Sequence, residues 1–131
     1  MWNAQPSHVF KISSEQEWSN ATRFGTYTGS ADDHRDGFIH LSTATQLPET
    51  AAKHFYGQYN LVLISLPTSA LGAQLKWEPS RGGALFPHLY SALDPEIADD
   101  VRRLALDANG IPQIPNDILT IASQTRVDPS A

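Results

Sequence analysis

The hydrophobic and polar positions change period several times along the chain. "HVFKIS", His8 to Ser13, alternates and is rich in β-prone residues, which predicts a first strand. In "SEQEWSNATRFG" the period turns helical, with Trp18, Ala21 and Phe24 on one face. Ser14 and Glu17 stand at capping-box spacing, and Gly25 is a helix stop. "TYTGSADDHRDG" has no apolar period and many turn formers, which predicts a solvated surface loop from Thr26 to Gly37. "GFIHLST", Gly37 to Thr43, reads as a short strand leading into a second helix. Thr43 and Gln46 repeat the capping-box spacing, Pro48 suits the first turn, and Gly57 ends the helix. "YNLVLISLP", Tyr59 to Pro67, is almost continuously apolar, as expected of a central strand covered on both faces.

"LGAQLKWEPS" predicts a turn and a further strand, and "LFPHLYSAL" another. Pro87 has no N–H to give a ladder, which predicts an edge position or a bulge for that strand. "DPEIADDVRRLALDANG" carries helix signals: Asp94 as N-cap, Pro95 at the first helical position and Gly110 past the end. Ile97, Val101, Leu104 and Ala105 would form the apolar face of a helix over about 95–108. From Ile111 on, Pro112, Pro115 and "TRVDPSA" predict an irregular tail over 111–131, in which "DILTIA" packs as a short strand or helix. There is no internal repeat. The pattern predicts an α+β fold in a single domain, 1–131, with strands interrupted by short helices.

Composition narrows the function classes. A chain of 131 residues can bury a core without disulfides or metals. It contains no cysteine, so thiol nucleophiles and zinc–thiolate sites are excluded, and a cytoplasmic protein is expected. The start of the sequence lacks the pattern of a signal peptide, and the longest apolar run, Leu61 to Leu66, is too short to cross a bilayer. The formal net charge of −5 has the wrong sign for a nucleic-acid partner.

Two segments hold the candidate chemistry. In "FIHLST", strand alternation places His40 with Phe38 and Ser42 on one face, and Ile39 with Leu41 on the other. In "EPSRGGALFPHLY", Arg81 offers a planar fork for phosphate or carboxylate, and Gly82 with Gly83 allows close backbone approach. His88 can move a proton near neutral pH, and Tyr90 shares its face. Glu78 beside Trp77 would have its pKa raised by an apolar neighbour, or would sit solvated at a strand end. "ADDHRD" lacks the spacing of a calcium loop, and His54 falls on a helix surface. No metal site, HExxH, GxSxG or phosphate-loop motif can be read from spacing. A wholly structural role, in which His40, Arg81 and His88 pair inside the fold, is also compatible with these residue types.

The combination of "hVFKI", a following tryptophan, "Y-x-GS", "DGFIHLST", "HF-x-G" and "W-E-x-SRGG-x-x-FPHLY", in order from Val9 to Leu93, resembles the bacterial family catalogued as domain of unknown function 952. The resemblance implies an ADP-ribosyltransferase-like fold, similar also to the RNA 2′-phosphotransferases: two small antiparallel sheets forming a cleft that holds an NAD-like or ADP-ribose-like nucleotide. It implies that His40, His88 and Arg81 are the catalytic group. Ser42, Thr43, Trp77, Glu78, Ser80, Gly82, Gly83, Phe86 and Tyr90 would line the ligand, with NAD as the possible cofactor and no metal. The chain departs from that pattern at "LFPHLY", where no glutamate stands, and at "HVFKIS", where only Lys11 can replace the NAD-gripping signature. Two functions therefore compete: an enzyme acting on such a nucleotide, and a non-catalytic nucleotide or small-anion binding module.

Overall fold

The computed structural model describes residues 5–126. In chain order these form β1 (His8–Ser14), α1 (Glu15–Phe24), α2 (Ala31–Asp36), β2 (Ile39–His40), α3 (Leu47–His54), β3 (Leu61–Pro67), β4 (Leu75–Pro79), β5 (Leu85–Leu89), β6 (Asp100–Leu104) and α4 (Asn116–Arg126). The class is α+β, with two small antiparallel sheets ordered β1-β3-β6 and β2-β5-β4.

β3 lies in the middle of the first sheet, as its unbroken apolar run requires. Its alternate residues serve two cores. Val62, Ile64 and Leu66 pack with Val9, Trp18, Ile39, Leu41, Leu75 and Leu89, between the two sheets. Leu61 and Leu63 pack with Phe10, Ile12, Leu47, Ala51 and Ile118 beneath α3 and α4. The sheets are stitched where Phe10 and Ser42 exchange backbone hydrogen bonds of 2.8 and 2.9 Å. That stitch brings β1 against the end of β2.

Four expectations are corrected. The segment expected as a loop contains α2: Ser30 Oγ accepts from Asp33 N, Asp33 Oδ2 accepts from Ser30 N, and Gly37 stops the helix at φ 87°. Asp33 itself is buried. The helix expected over 95–108 is a single 3-10 turn, Pro95–Ile97, followed by β6. Asp94 does cap that turn through Glu96 N, but the backbone becomes extended at Ala98, and residues from Asp100 on fill the open edge of β3. Pairing with a strand edge outweighs a modest local helix preference. Val101, expected in a core, is consequently 41 % exposed, whereas Leu104 is buried. The tail is also less irregular than expected, because "DILTIA" lies within α4 and Ile118 anchors it in the second core. Residues 127–131 of that tail lie outside the described residues.

The fourth correction concerns β5, which is central in its sheet despite Pro87. The Pro87 carbonyl accepts from Leu41 N at 3.0 Å, so the proline nitrogen also faces the β2 side, where that two-residue strand runs out. The bond the proline cannot give is therefore the reciprocal one to Leu41 O, just past the end of β2, and none is lost on the β4 side. In α1, Trp18 and Ala21 are buried as expected, while Phe24 is 82 % exposed.

The second capping box forms as the spacing predicts. Thr43 Oγ1 accepts from Gln46 N at 3.2 Å and Gln46 Oε1 accepts from Thr43 N at 3.0 Å, one turn before α3. The Gln46 amide also donates to Leu85 O on β5. Thr43→Ala should cost about 1 kcal/mol, measured as a shift of the urea midpoint with an unchanged slope.

Candidate functional site

Strand alternation gives the second sheet two unlike faces. Ile39, Leu41, Leu75 and Leu89 enter the core between the sheets. The opposite face carries Phe38 and His40 from the β2 segment, Phe86, His88 and Tyr90 from the β5 segment, and Glu78 from β4. Register joins them: His40 is paired with His88, and Glu78 with Phe86. Phe38 is the hub of the rings, stacked on His88 at 4.0 Å and tilted against His40 at 4.6 Å and Tyr90 at 5.3 Å. The two imidazoles stand edge to face, 5.7 Å apart.

Beside this face lies a cavity of about 250 Å3. His40, His88, Phe86 and Ser80 line one side, Phe10, Lys11 and Ile12 of β1 another, and Ser42, Thr50 and His54 a third. Asp32, Arg35 and Asp36 of α2 complete it. Arg35 is held by its neighbours, with Nε on Asp36 Oδ1 and Nη1 on Asp32 Oδ1.

Asp33 organises the site from below. Its side chain is 1 % exposed, yet it accepts from Lys11 Nζ at 2.7 Å, Ser30 N at 2.9 Å, His40 N at 3.0 Å and His40 Nδ1 at 2.6 Å. Burial by itself would raise the carboxyl's pKa. The His40 hydrogen bond, the Lys11 charge and its hydrogen bond, and the Ser30 amide outweigh burial and hold it well below the ordinary carboxylate range. For Lys11 the balance differs: burial lowers its pKa more than Asp33 raises it. The Lys11 amine and the Asp33 carboxyl are in direct contact at 2.7 Å, and each favours the charged form of the other. Lys11 also donates to His40 O at 3.0 Å, so one lysine and one aspartate fix both the ring and the backbone of His40.

The consequence for His40 is a defined orientation. Its Nδ1 hydrogen is directed at Asp33, which leaves Nε2 as the nitrogen that faces other partners. In this structure Nε2 lies 2.9 Å from Asp36 Oδ2 at the cavity rim. The hydrogen bond from Arg35 keeps the Asp36 carboxyl below its usual range. His88 is arranged in parallel: its Nδ1 is 2.8 Å from Glu78 Oε1, which also accepts from Tyr90 OH at 2.7 Å. Those bonds, from His88 first and then Tyr90, lower the Glu78 pKa, against the first of the two expectations, a carboxyl raised by its apolar neighbour.

The candidate residues are thus partly gathered. His40, His88, Ser42, Ser80 and Phe86 line the cavity. Glu78 and Tyr90 stand behind His88. Thr43 caps α3, and Trp77 packs against the core on the other face of its sheet, its indole donating to Gln5 Oε1. Gly82 and Gly83 have φ of 67° and 84°, conformations that explain two glycines in this turn. Arg81 belongs to the same turn, and its side chain lies outside the described residues. Sequence reasoning missed Asp33, Asp36 and Glu78 as partners of the histidines. The Ser30–Asp33 spacing was the available signal for the first two.

Residues 12–101 match the family described as "Protein of unknown function (DUF952)", which is more than half of the chain. The chain belongs to the DUF952 family. The matched span holds Asp33, His40, Glu78 and His88, while Lys11 directly precedes it. Among solved structures, this chain shares its architecture with protein CC0527 from Caulobacter crescentus, a structural genomics target. Its crystal structure is 49 % identical, covers 86 % of this chain and 98 % of its own, and superposes with a TM-score of 0.83. Its solution NMR structure is 50 % identical, covers 85 % and 96 %, and gives 0.76. No curated protein matches this DUF952 chain. Among the described residues no helix is long and apolar enough to cross a membrane.

Proposed function

We propose that this protein is an enzyme that moves protons on a small nucleotide-like molecule held in the cavity, with His40 as the general base. One observation carries the reading. A carboxylate that is 1 % exposed grips Nδ1 of a histidine whose side chain is 38 % exposed at a cavity wall. Such a carboxylate fixes the tautomer and supports the charge that the ring gains when Nε2 takes a proton. Burying an ion pair for stability alone is a poor investment, since apolar side chains of similar volume do as well. The hydroxyls of Ser42, Thr50 and Ser80 and the rings of Phe10 and Phe86 suit a ribose and a base.

The likeness of two small sheets beside a cavity to ADP-ribosyltransferase-like folds supports an NAD-like or ADP-ribose-like nucleotide as the ligand, a fold analogy rather than a chemical argument. Glu78 offers a carboxylate next to β5, where that strand has none of its own. A second reading, a non-catalytic nucleotide or small-anion binding module, is favoured by Asp36, which covers the Nε2 that catalysis needs. Isothermal titration and product analysis with NAD, ADP-ribose and related nucleotides separate the two. Binding is expected with product formation, which His40→Gln lowers by about 100-fold or more while the fold is retained. Binding without product after long incubation supports the second reading. Absence of binding at millimolar ligand removes both. Arg81→Ala tests the sequence-based assignment of that residue to a phosphate, and weaker binding is expected.

A further inference from the structure

The cavity wall holds two histidines, and the structure treats them alike. Each has its Nδ1 on a carboxylate, His40 on Asp33 at 2.6 Å and His88 on Glu78 at 2.8 Å. Each carboxylate is itself held by a further group, Asp33 by Lys11 and Glu78 by Tyr90. Both rings line one cavity. Their centres are 5.7 Å apart, too far to share a hydrogen bond and close enough to bracket one tetrahedral group. A second carboxylate–histidine pair is more than a single general base requires. Glu78 is 40 % exposed, so burial does not force it to pair with His88.

We infer that His40 and His88 act as a base and acid pair on a phosphodiester of a ribonucleotide, the simplest substrate being a nucleoside 2′,3′-cyclic phosphate. The inference rests on the catalytic reading of the cavity and specifies its chemistry. Water gives a proton to His40 Nε2 as its oxygen bonds to phosphorus. The bond from phosphorus to one ribose oxygen breaks, and that oxygen takes the proton from His88 Nε2. The products are a ribonucleotide monophosphate and a free ribose hydroxyl, with one water consumed. His40 is left protonated and His88 neutral, and solvent restores both.

The chemistry of the leaving group selects this substrate class. A sugar oxygen is a poor leaving group without a proton, so attack and departure both need proton transfer, which two histidines supply. A pyridinium base such as nicotinamide leaves a ribose without a proton, so His88 as an acid would be idle. The cavity also has places for the non-bridging oxygens. Lys11 Nζ has three donors, of which Asp33 and His40 O take two, and Ser80 adds a hydroxyl beside the Ser42 and Thr50 hydroxyls, which bond each other at 3.2 Å. Asp36 Oδ2, 2.9 Å from His40 Nε2, marks the position that the attacking water would take. A substrate would take its place as the Asp36 side chain turns toward solvent.

The groups facing the pair are Asp33, Asp36 and Lys11 around His40, and Glu78, Tyr90 and Lys76 around His88. The test incubates the full chain with nucleoside 2′,3′-cyclic monophosphates, and in parallel with NAD, following products by 31P NMR between about pH 5 and 8. Ring opening to a single monophosphate, with a bell-shaped rate profile, is expected. His40→Gln should flatten the limb that rises with pH and His88→Gln the limb that falls, each lowering kcat by about 100- to 10,000-fold. Glu78→Gln, at an exposed positioning residue, should displace the falling limb while the melting temperature stays near that of the wild type. It carries the test if His88→Gln does not fold. Ring opening that survives loss of His88 or is indifferent to Glu78 overturns the inference. Cleavage of NAD alone also overturns it, while the broader enzyme reading stands. A folded protein that turns over neither substrate removes the inference and leaves the enzyme reading without support.

Discussion

Asp33→Ala should destabilise the protein by about 3–5 kcal/mol, the largest loss expected from any single change at the site. The carboxylate accepts from four donors, and its removal leaves the Lys11 ammonium buried with only the His40 carbonyl as acceptor. It also removes half of the capping box that starts α2. Urea unfolding near neutral pH measures the loss. Lys11→Met in the same chain should recover part of it, because an apolar side chain needs no counter-charge. A coupling of at least about 1 kcal/mol between the two substitutions is expected. Additive effects would show that the two side chains do not depend on each other. The acid limb of stability carries the same signature. The Asp33 pKa is lowered on folding, so its contribution is complete above the unfolded carboxyl's range and is lost as pH falls through the folded value. Asp33→Ala should therefore lose less stability on acidification than the wild type does.

Gly29→Ala should disturb the same anchor from the backbone. Gly29 has φ of 112°, and a Cβ placed there would stand 2.6 Å from Asp33 Cβ and 3.0 Å from Asp33 Oδ2. The clash is with the stem of a side chain that is held at both oxygens, so it cannot be relieved by swinging a free end. A non-glycine residue in such a conformation costs about 1–3 kcal/mol, before the contact is counted. A fall in Tm of roughly 5–10 °C is expected, with loss of the protection that the Asp33 hydrogen bond should give the His40 Nδ1 proton in the NMR spectrum. An unchanged Tm with that proton still protected would show that the turn ahead of α2 relaxes easily. The two substitutions test one idea from two directions: His40 is positioned by a buried charge that the first turn of α2 delivers.

Much of the framework could be read in the sequence because its signals are local. The alternation of "HVFKIS" and the apolar run at Leu61 to Pro67 placed β1 and the two-sided β3. Ser14 accepts from Glu17 N at the start of α1, the serine half of the box its spacing predicts, and Thr43 with Gln46 closes a reciprocal box before α3. Where local signals competed with long-range pairing, the long-range partner won. Asp94 and Pro95 promise a helix but start only one 3-10 turn, because the open edge of β3 takes the following residues as β6. α2 was hidden for a different reason. Its capping box uses Asp33, whose side chain is at once the cap of its own helix and the partner of Lys11 and His40.

By itself, the sequence determined that His40 shares a face with Phe38 and that His88 shares one with Tyr90, since side chains two apart on a strand point the same way. It also determined the glycine turn before β5. Only the tertiary structure decided that the two faces are one surface, because the register His40↔His88 depends on which strands pair and where. It likewise decided which carboxylate each histidine meets. Asp33 reaches His40 from seven residues earlier, through a helix that Lys11 of β1 helps to hold, and Glu78 reaches His88 across a strand pair. A hydrogen bond is settled by tenths of an ångström between chain segments that fold together, and residue spacing along a single segment carries no record of that distance.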